Sequence, residues 1–138
     1  MLTWLIDTGP LVAYFDRSDS LNEEIAERLN RFHGLLCTTG AVICEAMHFL
    51  PRVQDGPDKL AEFVAASGLS VFESTRPEQI HAAVKLMNKY RDTPMDFADA
   101  TLVLLAQDLG IRDILTLDRR GFRTYRTPKG KALRLVID

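Results

Sequence analysis

Five short apolar stretches, separated by segments of helical period, constrain the fold of this chain more than any other feature. They are Leu2–Ile6, Leu35–Thr38, Leu69–Phe72, Asp113–Leu117 and Leu133–Ile137. Their continuous apolar character suits strands buried on both faces, which is the signature of a parallel sheet. Parallel neighbours need long crossovers, and the intervening segments supply them. Leu11–Phe15 has Pro10 near a helix start. Leu21, Ile25, Leu29 and Phe32 recur at helical spacing, with Ser18 or Ser20 as cap. Ala41–Leu50 is an apolar helix that Pro51 ends, and Asp58–Ala66 a helix that Gly68 stops. Pro77–Tyr90 places Ile80, Val84 and Met87 on one face. The most apolar helix is Asp96–Leu109, closed by Gly110. The expected fold is α/β, a mostly parallel sheet with helices on both faces.

A chain of 138 residues fits one domain, 1–138. With 46% apolar and 26% charged residues it has material for a core and no signature of disorder. No apolar run reaches the roughly 18 residues of a membrane span. The opening MLTWLIDTGP lacks the basic start of a secretion signal and carries Asp7 within its apolar stretch. Cys37 and Cys44 form no disulfide framework and no zinc spacing. Both are expected as buried thiols in a reducing compartment, the cytosol. The net charge of -2 hides an asymmetry. Residues 119–137 contain seven basic side chains and no acid, whereas the preceding 118 residues balance at -8. Such a segment is either a solvated hairpin or a surface for a polyanion.

Four acids lie in apolar surroundings. Asp7 follows LTWLI, Glu45 is embedded in AVICEAMHFL, Asp99 lies in FADATLVLLA and Asp118 follows ILTL. An ionised carboxylate in such a place needs a compensating group. Asp7 is also a candidate helix cap, Asp118 a candidate turn residue with Arg119 and Arg120, and Glu45 a candidate partner for a buried Arg. Thr93-Pro94-Met95-Asp96 reads as a helix start, with Thr93 as N-cap and Asp96 at the third helical position. Asp96 then has a structural role, while Asp99 is one turn too deep for capping. In a parallel sheet the strand-end acids Asp7 and Asp118 meet at the carboxyl edge, where ligands bind. Four gathered carboxylates repel unless a cation neutralises them. A hard divalent ion, Mg2+ or Mn2+, suits oxygen ligands, and such ions serve phosphate chemistry. Thr8 and Thr116 flank the strand-end acids as auxiliary groups. His33, His48 and His81 make no ligand set, and no phosphate-binding glycine loop is present.

The succession LIDTGPLVAYFDRSD, AVICEAMHFL, MDFADATLVLLAQDLGI and ILTLDRRGF resembles the PIN-domain ribonucleases, and among them the VapC-like toxins of type II toxin–antitoxin pairs. The resemblance covers nearly the whole chain, loosely between Pro51 and Gly68. It implies a three-layer α/β/α sandwich and Mg2+- or Mn2+-dependent endonucleolytic cleavage of single-stranded RNA to 5′-phosphate and 3′-hydroxyl ends. It also implies a homodimer and a cognate antitoxin. The family's catalytic acids fall on Asp7, Glu45, Asp99 and Asp118, with Asp96 as an alternative to Asp99. On this reading Asp7, Asp99 and Asp118 hold metal, and Arg119, Arg120 and Arg123 grip phosphates. A dehalogenase-type phosphatase needs a second Asp where Gly9 stands. A phospho-receiver needs paired acids beside Asp7 and a late lysine after a strand. The remaining alternative is a PIN-like module that binds RNA or protein without cutting.

Overall fold

The structure, a computed structural model, describes residues 2–138. Five parallel strands form one sheet in the order β3-β2-β1-β4-β5. They are β1 Thr3–Ile6, β2 Leu35–Thr39, β3 Ser70–Phe72, β4 Asp113–Leu115 and β5 Arg134–Leu135. Seven α-helices complete a three-layer α/β/α arrangement: α1 Thr8–Phe15, α2 Asn22–Arg31, α3 Gly40–Phe49, α4 Gly56–Ser67, α5 Pro77–Lys89, α6 Phe97–Leu109 and α7 Arg119–Thr124. The central strand β1 ends in Leu5 and Ile6, both with no exposed surface. α6 is buried nearly all round through Ala98, Ala100, Leu102, Val103, Leu105 and Ala106, as its apolar sequence requires. Truncating a core side chain such as Leu102 to Ala is expected to cost about 2–5 kcal/mol.

The alternation of strands and helices matches the expectation, and the differences are local. The helix expected at Leu11 begins at Thr8, because Asp7 adopts an extended cap conformation and its carboxylate accepts from the Thr8 N–H. Neither Ser18 nor Ser20 caps α2. Its cap position is Leu21, whose N–H is taken by Asp19, while Ser18 bonds Asp16. β4 is shorter than its apolar run, since Thr116 and Leu117 leave the ladder to shape the loop after β4, and β5 takes up only Arg134–Leu135 of its run. Residues 119–124 form a helix rather than a turn, with Asp118 accepting from the Gly121 N–H at 3.0 Å. Cys37 is buried as expected, whereas Cys44 is exposed on the outer side of α3.

The start of α6 carries the most consequential correction. Thr93 is not its cap: the Thr93 N–H bonds the Tyr90 carbonyl and continues the turn after α5. Asp96 is the N-cap, and its carboxylate accepts from the Asp99 N–H at 2.8 Å. Asp99 occupies the third helical position, and its carboxylate accepts from the Asp96 N–H at 3.2 Å. The two acids form a reciprocal capping box, so Asp99 also serves the helix end.

Candidate active site

Parallel pairing brings the strand-end groups together. Ile6 lies opposite Leu115, and the Asp7 N–H continues the ladder to the Leu115 carbonyl at 3.0 Å. Thr116 thereby sits beside Asp7 and donates its hydroxyl to Asp7 Oδ2 at 2.7 Å. The same hydroxyl oxygen accepts the Asp118 N–H at 3.1 Å. One threonine thus joins the two strand-end acids. Asp7 Oδ1 accepts from the Thr8 N–H at 2.8 Å. Both Asp7 oxygens are fixed by neutral donors, and each keeps a free lone pair.

Asp96 and Asp99 enter from the start of α6, and Glu45 from the middle of α3. Burial first, and then mutual repulsion, raises the proton affinity of Asp7, Glu45 and Asp99. Burial pushes Asp7 up to about 6 against the Thr116 and Thr8 hydrogen bonds, with Asp96 and Glu45 adding like charge. Burial, then the charges of Asp7 and Asp96, push Asp99 up to about 8. Burial and Asp96 raise Glu45, while the Thr8 hydroxyl and nearby His48 pull it down. The buried Thr8 hydroxyl faces Glu45 yet completes no hydrogen bond. Asp118, like Asp96, is exposed, whereas Asp7 is buried and Glu45 and Asp99 are half-buried.

Two residues that sequence reasoning missed hold this arrangement. Tyr125 is fully buried and donates its hydroxyl to the Pro94 carbonyl at 2.7 Å, pinning the segment before α6. Burial, followed by Asp99, Asp118, Asp96 and Asp7, raises its phenol well above the ordinary range. Gly121 leaves room for Asp118: a Cβ there would stand 2.3 Å from Asp118 Oδ2 and 3.0 Å from the Tyr125 hydroxyl. Neither residue carries a motif, and only the tertiary contact gives it meaning. Gly121→Ala should displace the Asp118 carboxylate and cost about 1 kcal/mol through the lost cap. A lower thermal midpoint together with weaker metal affinity would show both effects.

Among the described residues no ion pair reaches these acids. Arg123 pairs with Asp138, leaving Arg119 and Arg120 exposed immediately after Asp118. No three acids among the described residues already close into a metal cage. An Mg2+ ion does not require such a cage, since it binds through one or two carboxylates and retains several waters. A set of carboxylates centred on buried Asp7, with raised protonation, free lone pairs and no ion-paired Arg or Lys, is chemically suited to such an ion.

A parallel α/β/α sheet with converging acids at its carboxyl edge defines a class, and the PIN domain family matches residues 4–127. The chain belongs to that family. It is 32% identical over 126 residues to Ribonuclease VapC26 of Mycobacterium tuberculosis, covering 88% of this chain and 91% of the relative. The fold is similar to that of Mycobacterium tuberculosis VapC20, described as a Sarcin-Ricin loop cleaving toxin. There the TM-score is 0.73 at 18% identity, over 83% of this chain and 89% of the other. A toxin–antitoxin complex from Klebsiella pneumoniae aligns with TM-score 0.64 and 18% identity, over 88% of this chain and 91% of that one.

Proposed function

We propose that this chain is a Mg2+- or Mn2+-dependent endoribonuclease that hydrolyses single-stranded RNA, acting as the toxin of a toxin–antitoxin pair. The gathering of Asp7, Glu45, Asp96 and Asp99 with no Arg or Lys paired to them carries the reading, and membership of the PIN family supports it. Asp7 and Asp99 would hold the ion, with Asp118 completing its surroundings. Asp96 joins them, because its carboxylate faces both Glu45 and Asp99. The ion would neutralise charge on the phosphate and lower the pKa of bound water. Glu45, whose affinity for protons is raised by burial and then by Asp96, would accept the proton of the attacking water. Thr116 keeps Asp7 and Asp118 in register, and Arg119 and Arg120 hold flanking phosphates.

Incubation with single-stranded RNA should yield 5′-phosphate and 3′-hydroxyl ends with Mg2+ or Mn2+ and none with EDTA. Persistent cleavage in EDTA, or none with either ion, would overturn the reading. Metal should also stabilise the fold selectively. Asp7 and Asp99 are protonated more readily in the metal-free fold than in the open chain, so that fold loses stability as pH rises from about 4 to 8. Mn2+ should therefore raise the thermal midpoint more at pH 8 than at pH 5. Equal shifts at both values would place the ion elsewhere.

The antitoxin partner is tested by co-expression with a short neighbouring reading frame, which should relieve growth arrest. A homodimer is part of the proposal. The exposed Ile80 and Val84, one turn apart on α5, leave apolar surface for it, and sedimentation measures it. A cytoplasmic location accords with an RNA substrate, and among the described residues no helix is long and apolar enough to cross a membrane.

A further inference from the structure

The structure sorts the basic C-terminal segment into occupied and unoccupied cations. Arg123 pairs with Asp138 and Arg134 with Asp113. Arg126 turns its guanidinium onto the carbonyls of Arg123, Thr124 and Tyr125 at the end of α7. Arg119 and Arg120 remain beside the acidic centre, and Lys129 and Lys131 at the tip of a hairpin closed by the Arg126–Ala132 bridge. All four are exposed.

That hairpin is fastened to the helices. The Tyr90 hydroxyl accepts the Arg126 N–H at 2.9 Å, and the Lys129 N–H bonds Gln107 Oε1 at 2.8 Å. Beneath it, α5 and α6 enclose a groove of about 660 Å³, within the range of small-ligand sites. Ala82, Leu86, Leu104, Leu105 and Pro128 give it an apolar floor. Lys85 and Lys89, one turn apart on α5, stand on its wall. Lys89 Nζ lies 5.4 Å from the centroid of the Tyr90 ring, close to the base of the hairpin.

The groove contains acids as well. Arg76 and Glu78 pair with each other, and Thr75 holds Glu73. Glu73 and Asp108 therefore balance Lys85 and Lys89 along the lining. The surplus of positive charge lies outside, on Lys129 and Lys131. A ligand matched to this pattern places an uncharged flat body inside and negative charge at the lip. A nucleotide of a single strand does so, with its base on the apolar floor and its phosphates on the lysines. Ser74, which lines the groove, is buried and its hydroxyl has no partner. Thr39 and Thr101 have their hydroxyl protons engaged: Thr101 donates to the Ala98 carbonyl, and Thr39 Oγ1 lies 2.8 Å from Thr101 Oγ1. Ser74 is thus the polar group free to meet a base edge.

Position relative to the acids follows from the helix and the chain. Thr101 lies two residues past Asp99, about 200° round α6, so the groove occupies the other flank of that helix. The basic segment joins the two places, starting at Asp118 and reaching the groove at Pro128. Six helical residues and four extended ones span no more than about 25 Å.

We propose that the groove between α5 and α6, with Lys85 and Lys89 on its wall and Lys129 and Lys131 beside its lip, is a second RNA subsite that seats an unstacked base of the strand on the opposite flank of α6 from the acids. This rests on the ribonuclease reading. The direct measurement is binding of a labelled RNA of about 16 nucleotides, a span single-strand clefts cover, against a trinucleotide, in EDTA so that no strand is cut. Lys85→Ala/Lys89→Ala and Lys129→Ala/Lys131→Ala should each weaken the long strand about tenfold. Each should also flatten the salt dependence, by about 0.7 per lost phosphate contact, and leave the trinucleotide unchanged. Ser74→Ala should change base preference without lowering the thermal midpoint. Unchanged affinity and salt slope in both lysine pairs would overturn the subsite. So would unchanged RNA binding accompanied by lost binding of a protein partner. Wild-type cleavage with Mn2+ is scored separately. If it is absent the ribonuclease reading fails, while the EDTA measurement still decides whether the groove takes RNA.

Discussion

Asp7→Asn should abolish metal-dependent cleavage and stabilise the metal-free protein at the same time. Loss of a carboxylate that holds the ion forfeits several kcal/mol of charge stabilisation, roughly a 10³-fold fall in rate. The stability gain follows from titration. Asp7 is raised from 3.8 to about 6 by near-complete burial, and each pKa unit corresponds to about 1.4 kcal/mol. The ionised side chain therefore costs the metal-free fold up to about 3 kcal/mol above pH 6. The amide avoids that cost but fits the Thr8 and Thr116 donors less well, a loss of about 1 kcal/mol. A net gain of about 2 kcal/mol is expected at pH 8, shrinking as pH falls and gone once pH drops below the open-chain value of 3.8, where the wild-type carboxyl is neutral in both states. Denaturant melts in EDTA at several pH values measure it. A variant less stable than wild type at pH 8 would mean that Asp7 is primarily the α1 cap, the role its position after β1 also suggested.

The two readings of Asp7 illustrate how far the sequence reaches. The structure shows the cap of α1 directly, and it sets the same carboxylate near the charges of Asp96 and Glu45, where the proposed metal role would act. The parallel sheet was legible because five apolar runs alternate with helical periods, and the meeting of Asp7 with the loop after β4 follows from that topology. Asp118 followed the same logic, although its helix α7 did not show, because RRGFRT carries no periodic apolar face. The contributions of Tyr125 and Gly121 depend on contacts across the fold, with the Pro94 carbonyl and with Asp118. Nothing local in the sequence encodes them. The cap of α2 failed for a similar reason: Ser18 found a nearer partner in Asp16, and Asp19 took the Leu21 N–H. Capping residues cluster, and which one closes the helix is decided by the path of the preceding loop.

The same ambiguity shifted the start of α6, and there it changes an expected outcome. With Thr93 as cap, Asp96 would be a stabilising residue and Asp99 the sole ligand from this helix. In the observed box Asp96 is the cap and Asp99 its reciprocal partner. Asn caps as well as Asp, so Asp96→Asn should leave the metal-free thermal midpoint almost unchanged, whereas Asp96→Ala should cost about 1 kcal/mol. Asp99→Asn removes a half-buried acid raised to about 8 by burial, Asp7 and Asp96. The metal-free variant should be more stable than wild type, by an amount that grows with pH up to about 8 and then levels. Because Asp7 and Asp99 repel one another, the gains of Asp7→Asn and Asp99→Asn should sum to more than the double variant shows. Mn2+ affinity should fall in both Asp96→Asn and Asp99→Asn, and further in the latter, which is the more deeply set of the two. Calorimetric titration with Mn2+, paired with melts in EDTA, separates the roles. Full metal affinity in Asp99→Asn with its loss in Asp96→Asn would make the exposed cap the ligand and Asp99 its support. Undiminished affinity in both would remove the start of α6 from the metal site, leaving Asp7, Glu45 and Asp118 to hold the ion.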